Sequence, residues 1–144
     1  MQEQAELLFE SRSLFAVVAA VFIATPSLAR EVYECDFPAR ANNLGYLPDV
    51  VMMARETGSD TVTVVEPFIQ YTEGGPIEGK IAEENDKKLS VSWTIMQEST
   101  VNDYEKVHYR VSVQKSSLSA SLVGRALGYS NNFTSQGTCK RMTG

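Results

Sequence analysis

The stretches LSVSWTI (residues 89–95) and VHYRVSV (residues 107–113) decide the fold of this chain. In each stretch apolar and polar residues alternate strictly, so that an extended strand has one dry face and one wet face. The dry positions are Leu89, Val91, Trp93, Ile95, Val107, Tyr109, Val111 and Val113. A period of two predicts two strands of an antiparallel sheet that is solvated on one side.

Shorter strand-like stretches flank this pair at intervals of roughly 10–12 residues. They lie at residues 33–37, 50–53, 61–65, 77–84, 118–122 and 137–141. Turn residues separate them: residues 74–76 (GGP) are a strong break, and residues 97–105 are predicted to be a polar loop. No stretch after residue 30 has a strong helical stripe, although a short helix within residues 41–54 remains open. The pattern predicts an all-β fold of seven to nine strands.

The N-terminal segment is typical of an export signal. Residues 14–24 (LFAVVAAVFIA) are apolar and uncharged. They are too few for the roughly 20 residues that a membrane-spanning helix needs, but they fit the central region of a signal peptide. Pro26 and the small residues around Ala29 then predict cleavage after Ala29. Acidic residues before Arg12 are unusual in a signal peptide and favour a later start codon.

This prediction divides the chain into a signal helix (residues 1–29) and a single β domain (residues 30–144). We expect the domain to be periplasmic or secreted, with no stable membrane anchor after cleavage. The two cysteines, Cys35 and Cys139, are then predicted to form a disulfide, because export leads to an oxidising compartment. Such a bond holds the first and last strands side by side, which favours a small antiparallel β-barrel over a sandwich.

Charge and motif content narrow the function. The formal net charge is −5, which argues against a nucleic-acid partner. His108 is the sole histidine and lies on a polar strand face, so it favours neither a zinc site nor a catalytic triad. Acidic clusters at residues 83–86 and 103–105 lie in predicted turns, where charge is solvated. We therefore assign no catalytic residue, metal or cofactor.

The candidate binding residues lie in predicted loops. Residues 74–80 form a flexible glycine-rich loop that offers Gly74, Gly75, Glu78 and Lys80, and two further loops offer Tyr104 and Tyr129. Loops on a rigid β scaffold often bind partners, and tyrosine is a common anchor. We expect a non-enzymatic exported domain that binds an unknown protein or small ligand. A carboxylate-dependent envelope glycan hydrolase is an alternative.

The opening residues Tyr33-Glu34-Cys35-Asp36-Phe37, with the signal peptide and Gly137-Thr138-Cys139, resemble small exported bacterial β-barrel proteins. The Tyr-x-Cys opening is distantly similar to that of the periplasmic inhibitors of c-type lysozyme. That resemblance implies a barrel that enters the lysozyme cleft with a loop bearing serine and lysine. The nearest loop here, residues 74–80, has the lysine without the serine-glycine motif, so no inhibitory residue is carried over.

Overall fold

The computed structural model describes residues 29–38, 47–100, 103–130 and 132–143. These residues form a closed antiparallel barrel in which each strand pairs with the next and the last pairs with the first. The strands are β1 (Arg30–Asp36), β2 (Val50–Glu56), β3 (Thr61–Val65), β4 (Ile77–Glu84), β5 (Lys88–Thr100), β6 (Asp103–Gln114), β7 (Ser119–Ala126) and β8 (Asn132–Thr143), and one helix, α1 (Pro67–Glu73), connects β3 to β4. The prediction of an all-β barrel is confirmed.

The seam between β1 and β8 carries the predicted disulfide. Cys35 and Cys139 face each other in the strand register and are bonded across 104 positions of the chain. On the chain-entropy model a cross-link of this span stabilises the fold by up to about 4–5 kcal/mol. Beside it, a Cβ atom on Gly137 would come within 2.0 Å of the Asp36 carbonyl oxygen. Only glycine therefore lets β8 approach β1 this closely.

The barrel interior is the hydrophobic core, and the apolar side chains of the alternating pattern fill it. Trp93 and Tyr109, both predicted to be buried, face each other in the β5–β6 register and point inward. His108, on the opposite face of β6, lies on the outer wall and bonds Thr94 through its Nδ1 atom at 2.9 Å. The prediction of which residues in the two central stretches face the core and which face solvent is confirmed.

The barrel has two different ends. One, which we call the turn end, carries the short connections β2–β3 (residues 57–60), β4–β5 (residues 85–87) and β6–β7 (residues 115–118). The other, which we call the helix end, carries α1, the β5–β6 hairpin and the β7–β8 turn at residues 127–130. Because consecutive strands are antiparallel, every second connection lies at the same end.

Several local predictions are wrong. No helix is predicted at residues 67–73, where α1 lies. The polar loop predicted at residues 97–105 belongs mostly to β5 and β6, which continue as a long hairpin. The strand predicted at residues 50–53 is confirmed as part of β2, so the helix left open within residues 41–54 does not include residues 50–54. Residues 39–46 and the predicted signal helix up to residue 28 lie outside the described residues.

Candidate functional site

The turn end is closed by a chain of charged side chains. Arg141 donates to Glu31 at 2.5 Å, and Arg55 Nε donates to the other oxygen of Glu31 at 3.0 Å. Arg55 also binds Glu84 through both of its terminal nitrogens, and Lys115 donates to Glu84 at 3.1 Å. Glu31 and Arg55 are buried. We call these five residues the ion-pair chain; it links β8, β1, β2, β4 and the β6–β7 turn across the barrel.

The ion-pair chain keeps its carboxylates ionised. Burial opposes ionisation of Glu31, but the hydrogen bonds from Arg141 and Arg55 outweigh it and lower its pKa below 4.5. The hydrogen bonds from Arg55 likewise lower the pKa of Glu84 against the effect of its burial. Neither carboxyl is available as a proton donor near neutral pH. The turn end is therefore suited to holding the barrel shut and not to acid catalysis.

A polar groove on the outer wall lies next to the ion-pair chain. Arg30, Ser59 and Thr61 are among the residues that line it, and its volume is about 180 Å³. Ligand pockets usually start at roughly 300 Å³. This groove therefore does not favour a site for a drug-sized molecule.

At the helix end, residues close together in the sequence determine where α1 begins and ends. Glu66 precedes the helix in an extended conformation, and its two carboxylate oxygens accept the N–H groups of Phe68 at 2.7 Å and Ile69 at 3.0 Å. Pro67 occupies the first turn, where its missing N–H costs nothing. Gly74 ends the helix in the left-handed region at φ 73°. These residues fix a helix of only two turns.

Glu66 is an unusual cap because it is only 2% exposed. Burial raises its pKa to about 7, and the bonds from Phe68 and Ile69 only partly counteract this rise. A carboxyl with such a pKa is a common general acid. Both of its oxygens face the helix N–H groups, however, so the geometry fits a structural cap that titrates near neutral pH.

The inner face of α1 packs into the barrel. Ile69 is fully buried, and the Phe68 ring stacks on Tyr109 with 6.5 Å between ring centroids. Tyr109 in turn stacks on Trp93 at 5.7 Å and donates its hydroxyl to Gln97. The indole N–H of Trp93 is buried and has no acceptor among the described residues. An aromatic stack with one unsatisfied donor therefore lies directly beneath α1.

The outer face of the helix end carries exposed apolar side chains. Tyr71 on α1 is 83% exposed, and Leu127 and Tyr129 in the β7–β8 turn are 47% and 61% exposed. We call these three side chains the rim surface. Backbone bonds hold their turn in place, because Leu127 donates to Lys106 and Tyr129 donates to Ala126.

The structure brings together only some of the predicted binding residues. Gly74 and Gly75 follow α1, and Tyr129 lies in the β7–β8 turn, so all three are at the helix end. Tyr104 pairs with Glu98 in the hairpin at the same end, but its side chain lies outside the described residues.

Glu78 and Lys80 do not belong to a loop. Both lie within β4 and are exposed on its outer side, and the inward residue between them is Gly79. The predicted loop at residues 74–80 therefore ends at Pro76. β4 already pairs with β3 at residues 77–80. The strand therefore begins earlier in the chain than the glycines of this stretch predict.

Sequence reasoning misses Glu66, Tyr71 and Leu127. Glu66-Pro67 followed by Gly74-Gly75 is the available signal, because proline favours the start of a helix and glycine its end. Nothing local marks Leu127, whose exposure depends on where the β7–β8 turn falls.

The remaining candidates for chemistry lie apart from this end. Glu83 is exposed and pairs with Lys88 at 3.2 Å and Arg110 at 3.3 Å. Within the described ranges, no group of three or more histidine, cysteine or acidic side chains is arranged to hold a metal ion. No helix of that part of the chain is long and apolar enough to cross a membrane. The sequence matches no protein-family model, no curated protein and no solved structure.

Proposed function

We propose that this protein is a non-enzymatic exported domain that binds a protein partner through the rim surface. The observation that carries the proposal is the exposure of Tyr71, Leu127 and Tyr129 at one end of the barrel. Large aromatic side chains are enriched among the residues that dominate binding energy in protein interfaces. A closed barrel with a disulfide supplies the rigid support that such a surface needs.

The rim surface is held in a defined shape, which lowers the entropic cost of binding. Ile69 and the Glu66 cap anchor α1, so Tyr71 projects from a fixed backbone. Gly128 has φ 93°, a conformation that suits glycine, and it allows the tight turn that presents Leu127 and Tyr129.

The two acidic sites give little support to a glycan hydrolase. Such an enzyme needs two carboxyls that face each other across a cleft. Glu31 and Glu84 are each bound to arginine, and both oxygens of Glu66 are bound to helix N–H groups. A binding role does not require any of these three carboxyls to be free.

An inhibitor of c-type lysozyme is a specific form of the binding proposal. The Tyr-x-Cys opening supports it, since Tyr33 and Cys35 lie in the first barrel strand, which the disulfide links to the last. The position of Lys80 counts against it, because this lysine lies on the outer wall and not on a loop. A turbidity assay tests this form: slower lysis by c-type lysozyme supports it, and unchanged lysis removes it.

Capture of partners from an envelope extract tests the proposal itself. Full-length protein, exported and purified, serves as bait beside the variants Tyr71→Ala and Tyr129→Ala, with Met142→Ala as a matched control. Met142 is 49% exposed on the last strand, near the turn end. We expect a protein that the wild type and the control retain and that both tyrosine variants lose. Equal capture by all four proteins, or no specific capture, would contradict the proposal.

A further inference from the structure

We propose that the helix end binds its partner by β-strand addition, in which an extended segment of the partner protein pairs with a free edge of β5. The backbone groups of Thr94, Met96 and Glu98 form this edge, which we call the open edge. The inference rests on the proposed function, because it names the part of a protein partner that docks at this end. It can fail separately, since the rim surface consists of side chains and the open edge consists of backbone.

The open edge exists because β5 is longer than the strand beside it. β5 pairs with β6 along residues 88–98, but its ladder with β4 ends at the pair of Lys80 and Ser92. From Trp93 onwards, no strand in the described part of the chain pairs with the β4 side of β5. Barrel closure normally removes strand edges, so this overhang is an exception in the barrel wall.

Backbone bonds fix which residues present their polar groups at this edge. Asn85 donates its N–H to the Lys88 carbonyl, so the backbone groups of Lys88 point toward β4 and away from β6. These directions alternate along a strand, and β5 keeps its register with β6 up to Glu98. The N–H and C=O groups of Thr94, Met96 and Glu98 therefore point away from β6, into the space that β4 does not fill.

Pro76 explains why β4 does not close the open edge. The ladder register, extended from Lys80 two residues at a time, would place Pro76 opposite Met96. Proline has no N–H to donate to a ladder, and the chain before it turns away through the two glycines that follow α1. A Cβ atom on either glycine would meet nothing within 4 Å. The turn therefore leaves open space beside it.

The side chains at the open edge do not block pairing. Native proteins usually protect an open edge with charge, proline or a bulge. Thr94 and Met96 are uncharged and exposed on the outer wall, and Met96 is 42% exposed. The irregularity in the β5–β6 register comes only after Glu98. Residues 94–98 are therefore a regular edge that is free to pair.

The second strand of the hairpin has less edge to offer. β6 pairs with β7 from Val107 onwards, and the Lys106 carbonyl already accepts the N–H of Leu127. Within the ranges that the structure describes, β5 therefore has the longer unpaired edge of the two hairpin strands.

The chemistry of the open edge selects its occupant. The edge is a row of N–H and C=O groups that recur at every second residue, about 6.8 Å apart. Another extended backbone matches this spacing, and strand addition is a recurring mode of peptide recognition. In antiparallel pairing, the residue opposite Met96 has its side chain on the same outer face. We expect an apolar residue at that position of the partner segment, because it would cover the exposed Met96 side chain.

Hydrogen exchange of the free, full-length protein tests the open edge before any partner is known. Residue-resolved protection factors should alternate along β5. Those of Thr94 and Met96 should be at least about tenfold lower than those of Ile95 and Gln97, whose amides point toward β6. Equal protection of the two pairs would show that the edge is already covered, and it would overturn the proposal.

A phage-displayed peptide library, selected on the wild-type protein, supplies the binding probe. Fluorescence anisotropy then compares the selected peptides on the wild type, Met96→Pro and the matched control Met96→Ala. Proline at this position removes an N–H that the β5–β6 ladder does not use, so the barrel should fold, and binding should weaken at least about tenfold. Met96→Ala keeps the N–H and should weaken binding by about threefold or less. If Met96→Pro does not fold, peptides with N-methylated alternate amides take its place.

Binding of a selected peptide should also raise the protection of Thr94 and Met96 to that of Ile95. Failure to select any peptide, or equal binding by the wild type and Met96→Pro, would overturn the open edge. Capture from the envelope extract that depends on Tyr71 and Tyr129 would then still support the rim surface, so the two proposals are distinguishable. Self-association of the protein that Met96→Pro abolishes would assign the edge to a second copy of the chain and would overturn the partner segment.

Discussion

The two ends of the barrel are closed by opposite chemistry. At the turn end, Glu31, Arg55 and Glu84 satisfy one another's charges, and the pKa values of both acids are lowered. At the helix end, Phe68 and Ile69 of α1 pack into the core, and Glu66 is buried with no cation paired to it among the described residues, so that burial raises its pKa to about 7. A charged closure resists opening at neutral pH, whereas an apolar closure with a buried acid weakens there.

The opposite pKa shifts give the two ends opposite responses to pH. The ion-pair chain contributes stability above pH 4.5, and this contribution is lost as the pH falls through the lowered pKa values of Glu31 and Glu84. Glu66 favours the closed state fully below pH 4.5, and its contribution is lost as the pH rises through about 7. The stability of the barrel should therefore be greatest between these limits.

The largest expected effect comes from breaking the turn end. Arg55→Ala leaves Glu31 and Glu84 close together with their shared cation gone. Removing one partner of a buried ion pair costs about 3–5 kcal/mol, and urea unfolding at pH 7 with the disulfide intact measures it. Arg110→Ala is the matched control, since its pair with Glu83 is exposed and should be worth less than about 1 kcal/mol. Equal losses in the two variants would mean that the ion-pair chain does not close this end.

An intermediate effect comes from the helix end. Ile69→Ala removes the fully buried side chain of α1, and a large-to-small change in a core costs about 2–4 kcal/mol. Proteolysis under native conditions should cut the variant near α1 before the barrel unfolds. Tyr71→Ala lies on the same helix but is exposed, so its stability should change by less than about 0.5 kcal/mol. Loss of the whole barrel in one step, with no early cleavage near α1, would argue against a separable helix end.

The smallest effect comes from neutralising Glu66, the buried cap of α1. Glu66→Gln should remove the part of the pH dependence that lies between pH 4.5 and about 7, which the difference in pKa sets at about 2.5 kcal/mol. Thermal unfolding at several pH values measures it. The acid limb below pH 4.5, which belongs to Glu31 and Glu84, should remain. A variant whose whole profile matches that of the wild type would show that Glu66 does not titrate in this range.

The sequence predicts the barrel well because the relevant signals are local or covalent. Apolar and polar residues alternate without interruption from Leu89 to Ile95 and from Val107 to Val113. This pattern is typical of a half-buried strand. The two cysteines add a constraint that joins the ends of the sheet. Barrel closure by Cys35 and Cys139 therefore follows from the chain without knowledge of its packing.

The site is less accessible to sequence reasoning because it depends on tertiary contacts. Phe68 and Ile69 have the residue types of a strand, and only the cap at Glu66 and the glycine at Gly74 make a helix of this segment. The ion-pair chain joins residues from four strands and one turn, and no spacing in the sequence brings Glu31 to Arg55 or Glu84. The long hairpin is misread as a loop because its residues are polar, although both strands continue their pairing.

Amide hydrogen exchange at three pH values tests the central contrast most directly. Protection factors, which correct for the intrinsic effect of pH, are compared for Ile69 and Gln70 in α1 and for Thr57 and Lys115 at the turn end, whose amides bond to Ala29 and Lys87. From pH 5 to pH 7.5, protection should fall in α1 and hold at the turn end; from pH 5 to pH 3.5, it should fall at the turn end and hold in α1. Protection that rises and falls together at both ends would contradict the account.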